Sequence, residues 1–68
     1  MLTTKEIYVG QLIKVRDVSK EMFKSKSKGH KIFIITKIDF TRELVKAQSL
    51  SGLIKFSWCH TSHFEAVT

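Results

Sequence analysis

Proline is absent from these 68 residues, so breaks in regular structure must come from glycine and from polar clusters. The chain has one cysteine, Cys59, which excludes an internal disulfide. A lone thiol suits a reducing compartment. Acid is scarce: six Asp and Glu stand against twelve Lys and Arg, a net charge of +6. Long apolar runs are missing as well. The longest, Ile32-Phe33-Ile34-Ile35, is far short of the ~20 residues that a spanning helix needs. Residues 1–6 lack the basic region and apolar stretch of a signal peptide. These absences predict a soluble, cytoplasmic protein with no membrane partner.

Enzyme chemistry finds little to build on. The acids Glu6, Asp17, Glu21, Asp39, Glu43 and Glu65 are scattered, with no spacing that suggests acid–base work. No phosphate-cradling glycine loop is present. The reading is therefore non-enzymatic, with no cofactor. Apolar residues make up 43% of the chain, enough to set aside a disordered tail. The length predicts one domain over residues 1–68. A core of that size supplies roughly 3–5 kcal/mol without staples.

Residues 7–15 are β-branched and aromatic and predict a first strand. Gly10 inside it marks a bulge or the close approach of another backbone. Residues 16–29 are polar and charged. Val18, Met22 and Phe23 fall at near-helical spacing, which allows a short helical turn. The lysines and serines argue instead for a long loop with Met22 or Phe23 tucked beneath it. Residues 31–40 form the strongest strand pattern: Ile32, Ile34, Ile38 and Phe40 share one parity, Phe33 and Ile35 the other. Thr41-Arg42-Glu43 is turn-like. Residues 44–50 follow, with Val45 and Ala47 on one face. Ser51-Gly52 is a two-residue hairpin signal. Residues 53–58 alternate, placing Ile54, Phe56 and Trp58 together. Residues 59–63 read as a polar turn, and 64–67 as a brief closing strand. The expected core is Ile34, Ile38, Val45, Ile54, Phe56 and Phe64, with Phe33 and Phe40 also more at home inside than out.

Five strands, a long first loop, a tight hairpin between the third and fourth, and a turn before the fifth make an all-β order that resembles the SH3-like barrel. The residues that carry the resemblance are Val9-Gly10-x-Leu12-x-x-Val15, Gly29 before the second strand, Ser51-Gly52, and the run from Trp58 to Phe64. The chain also looks like short stand-alone barrels of tailed bacteriophages and, more loosely, like KOW-type modules. The resemblance implies a five-stranded barrel and an accessory role in a phage or mobile element. The Ala-Leu-Tyr-Asp-Tyr segment of signalling SH3 domains is missing, and so is their aromatic groove. Their proline-rich ligands are therefore not expected.

The positive charge is concentrated. Arg16, Lys20, Lys24, Lys26, Lys28 and Lys31 face only Asp17 and Glu21 between residues 16 and 31, which places four of the six net charges there. Lysines alternating with serines offer ammonium and hydroxyl donors to phosphate oxygens. Such contacts position a protein on DNA or RNA without reading sequence. The candidate interface is Arg16, Lys20, Phe23, Lys24, Lys26, Lys28, His30 and Lys31. Phe23 is its best exposed aromatic. Tyr8 and Trp58 are the other stacking candidates, but Trp58 shares a face with Ile54 and Phe56, which places it in the core or at a partly open barrel edge. The same charge would suit an acidic protein surface, so a protein-interaction barrel that modulates a larger enzyme or machine is the alternative. Edge strands of small barrels can pair, which leaves the oligomeric state open. Cys59, His60 and His63 have metal-ligand chemistry, but structural zinc wants four ligands in paired motifs. No metal is expected there.

Overall fold

The computed structural model describes residues 6–67; the N-terminal positions on which the signal-peptide reading mostly rests lie outside them. Five antiparallel strands form one sheet: β1 (Leu12–Val15), β2 (Phe33–Asp39), β3 (Leu44–Ser49), β4 (Lys55–His60) and β5 (Phe64–Ala66). Their order is β4-β3-β2-β1-β5, with β4 and β5 at the two ends. A 3₁₀ turn (Asp17–Ser19) and one helix, α1 (Lys20–Ser27), connect β1 to β2. A second 3₁₀ turn (Thr61–His63) leads into β5. Among the described residues no helix is long and apolar enough to cross a membrane.

The first predicted strand is half turn. Residues 7–11 bend, and the Gln11 N–H donates to the Tyr8 carbonyl at 3.1 Å. Gly10 sits at φ +97°, a conformation costly for any residue with a Cβ. Its N–H reaches the Ile35 carbonyl at 2.8 Å, the backbone approach that a glycine in this stretch suggested.

The residues expected as a long basic loop form α1 instead. Lys, Glu and Met are good helix formers, but eight residues are too few to be helical alone. Burial of Phe23 supplies the missing stability: the residue is 3% exposed, while Val18 and Met22 stand 80% and 59% exposed. Lys28 in the left-handed region (φ 48°) and Gly29 (φ 85°) end the helix. The His30 N–H then donates to the Ser27 carbonyl at 2.9 Å and turns the chain toward β2.

The core lies on one face of the sheet, under α1. It comprises Ile7, Ile13, Phe23, Phe33, Ile35, Val45, Ala47, Phe56 and Phe64. Val45, Phe56 and Phe64 are inside as expected, and Ile38 and Ile54 pack against them partly buried. Ile34 is not in the core; β2 turns Phe33 and Ile35 inward instead. A register shift between Ile35 and Lys37 explains how Ile38 also faces in: Thr36 is an extra residue that resets the alternation. Phe40, expected inside, is 58% exposed in the turn after β2.

The Ser51-Gly52 signal marks a turn, but the connection spans residues 50–54 rather than two. Gly52 (φ +80°) donates its N–H to the Ser49 carbonyl at 2.9 Å. The buried Ser49 hydroxyl accepts from the Ile54 N–H at 3.2 Å, which holds the loop to β3.

Candidate functional site

Helix α1 carries the charge, and contacts from three residues fix where it points. The Phe23 ring meets Phe56 at 5.2 Å edge-on, Phe64 at 5.6 Å and the His63 ring at 5.4 Å. Ser19, just before the helix, shares a hydrogen bond with His63 Nδ1 at 3.0 Å. Arg16 donates its backbone N–H to the His63 carbonyl at 2.9 Å and its Nη1 to the Ser62 carbonyl at 3.1 Å. Arg16 was expected at the interface. It is partly buried, and these bonds tie the start of the helical segment to the turn before β5. Phe23 is read from the sequence both as a residue tucked beneath the basic segment and as an exposed stacking ring; at 3% exposure it takes the first place and not the second.

With Phe23 turned inward, helical spacing of about 100° per residue puts Lys20 and Lys24 on one flank of α1 and Lys26 on the other. The first flank forms a groove of about 460 Å³ in which Lys14, Lys20, Lys24, His30 and Lys31 converge, with Phe23 at its base. Three separate segments thus contribute cations to one concavity: β1, α1 and the approach to β2. Lys14 was not singled out in the sequence. Its alternation with buried Ile13 placed it on the solvent face, and only the antiparallel fold brings that face beside α1.

Anions offset part of this field. Lys14 pairs with Glu65 at 3.4 Å, and Lys20 with Asp17 at 2.8 Å. Both pairs are solvent-exposed and hold little energy. The Lys20 hydrogen bond holds the Asp17 carboxyl below the usual carboxylate range, and Asp17 raises the Lys20 ammonium in return. Among the described residues, Lys24 and Lys31 have no ion-pair partner.

The opposite flank forms a second groove of about 430 Å³, where Lys26 and Lys28 face Lys55, Leu53, Ser57 and Trp58 of the β3–β4 connection and β4. Trp58 was expected on one face with Ile54 and Phe56. A register shift in β4 sets Ala47 opposite Phe56 but Val45 opposite Cys59, so the intervening strand holds one extra residue. Cys59 therefore packs on the core, and Trp58 is turned outward, 44% exposed. Lys46 Nζ stands 5.3 Å from the centre of its ring.

Cys59, His60 and His63 go to three different places. Burial pushes the Cys59 thiol up. His60 Nδ1 accepts the Ser62 N–H at 3.1 Å, and its Nε2 lies 3.5 Å from Glu43 Oε2. His63 turns to Ser19 and Phe23. Among the described residues no three His, Cys, Asp or Glu side chains gather as metal ligands.

No protein-family model matches this chain, and no curated protein or solved structure is significantly similar to it.

Proposed function

We propose that this is a small, basic, non-enzymatic module that binds nucleic acid through the phosphate backbone. The observation that carries the reading is the first groove, where five basic side chains from three segments line one concavity. Ammonium groups on a rigid floor neutralise phosphates and release condensed counterions, which favours binding without base recognition. Lys20, Lys24, His30 and Lys31 are the contacts, with Lys14 added to them; Lys26 and Lys28 extend the surface across the helix. We read the sheet as an SH3-like barrel. The strand order and the 3₁₀ turn before β5 support that architecture.

Lys24→Ala/Lys31→Ala tests the proposal, since neither side chain is in the core. The slope of log K against log salt on a duplex should shrink by roughly 0.9 per lost contact. Affinity should fall equally across sequences, because lysine–phosphate contacts carry no base information. Titration at low and moderate salt measures both. A variant with unchanged slope removes the groove from the interface. Absence of binding by the wild type even at low salt defeats the nucleic-acid reading altogether.

A further inference from the structure

The second groove has what the first lacks: a partly exposed aromatic ring among cations. Trp58 lines it beside Lys26, Lys28 and Lys55, with Lys46 Nζ 5.3 Å from the centre of its ring and the exposed Leu53 side chain as an apolar wall. The β4 register shift puts it there. Without the extra residue, the alternation that buries Phe56 would turn Trp58 toward the same face. A half-exposed tryptophan leaves apolar surface in water that a flat partner can cover.

We propose that this groove is a stacking site for an unpaired base, with Trp58 as the platform and Lys26, Lys28 and Lys55 holding the flanking phosphates, so that the ligand of this chain is single-stranded nucleic acid. The proposal rests on the nucleic-acid reading above and narrows it. Charge complementarity selects a polyanion, and the indole face selects one that carries aromatic rings. Duplex DNA does not qualify, because its base faces are covered by their neighbours. A single strand offers them freely, and stacking on an aromatic side chain tolerates any base. The lysines supply the backbone contacts on either side of the ring.

Trp58 is the chain's only tryptophan, so its fluorescence reports the contact directly. The probes are a twelve-nucleotide oligothymidylate, the matching oligouridylate, an abasic strand of equal length, a duplex, and vesicles rich in anionic phosphatidylserine. Expected is strong quenching by either single strand and little by the duplex or the abasic strand. Trp58→Ala should lose about tenfold in single-strand affinity, the scale of one base stack, with duplex affinity within twofold. Trp58→Phe should keep most of it. DNA and RNA arms that differ would identify which sugar the site prefers. The proposal is overturned, with the phosphate reading intact, if wild type binds all the nucleic acids alike and Trp58→Ala changes nothing. A blue shift on vesicles without quenching by any strand overturns it in favour of a membrane surface. No binding of any nucleic acid at low salt removes the reading on which it rests. Circular dichroism of both variants separates loss of contact from loss of fold.

Discussion

At Thr36, and again between Phe56 and Cys59, the chain carries one residue more than its neighbour strand. Each surplus residue changes which side chains face inward downstream of it. After Thr36 the inward position passes to Ile38; after Phe56 it passes to Cys59. The consequence for Cys59 is chemical. Its thiol is partly buried against the core, and burial disfavours the thiolate, so ionisation is displaced to higher pH than for a free thiol. Since only the thiolate is nucleophilic, alkylation by iodoacetamide at pH 8 should be slower in the folded protein than in the urea-unfolded chain. Its midpoint in a pH–rate profile should lie above that of the unfolded chain. Equal rates in both states would show Cys59 to be freely exposed.

At the level of elements, α1 is the most dependent part of the molecule. Eight residues provide too few hydrogen bonds to stand alone, and one buried ring connects them to the sheet. Phe23→Ala should therefore cost about 3–5 kcal/mol, the range for a truncated core Phe. Because a core this small supplies a comparable total, the variant should be largely unfolded at room temperature by urea titration. Phe23→Leu keeps much of the volume and should retain the fold, with a lower melting temperature. A Phe23→Ala protein as stable as wild type would show that α1 does not need its anchor. The short helix was within reach of the sequence, since Val18, Met22 and Phe23 fall at near-helical spacing. What favoured a loop was the density of lysine and serine, a local criterion. The helix is decided by a non-local contact between Phe23 and the rings of Phe56 and Phe64.

Over the whole molecule, a net charge of +6 on 68 residues makes self-repulsion significant. Few of the cations are compensated: the ion pairs among the described residues involve Lys14, Lys20, Arg42 and His60. Folding brings the lysines of β1, α1 and the approach to β2 together around one groove, which costs free energy at low ionic strength. Salt screens that repulsion, with a Debye length falling from roughly 30 Å at 0.01 M to about 10 Å at 0.1 M. The melting temperature should rise between 10 and 150 mM sodium chloride, while affinity for nucleic acid falls over the same interval. Calorimetry and binding titrations in matched buffers check both. A melting temperature that drops with salt would mean that attractive pairs, not repulsion, dominate the folded state.

Alone, the sequence carries the β-rich class, the strand count and chain order, the turn before β5, the inward faces of Phe33, Val45, Ala47, Phe56 and Phe64, and the concentration of charge between residues 16 and 31. These follow from local patterns: alternation, turn residues and composition. Tertiary structure alone decided three other things. It left Ile34 outside the core and turned Ile35 inward beside Phe33, whose place inside the sequence already favoured, because strand parity depends on how β2 meets its neighbours and the bulge at Thr36 is a property of the pairing. It placed Lys14 with the lysines of α1, because the two segments line one groove only once the sheet has formed. And it exchanged the two aromatics, burying Phe23 and exposing Trp58. A lysine-rich neighbourhood made Phe23 look exposed and an alternating one made Trp58 look buried, but burial is set by the packing of distant segments, which neither neighbourhood contains.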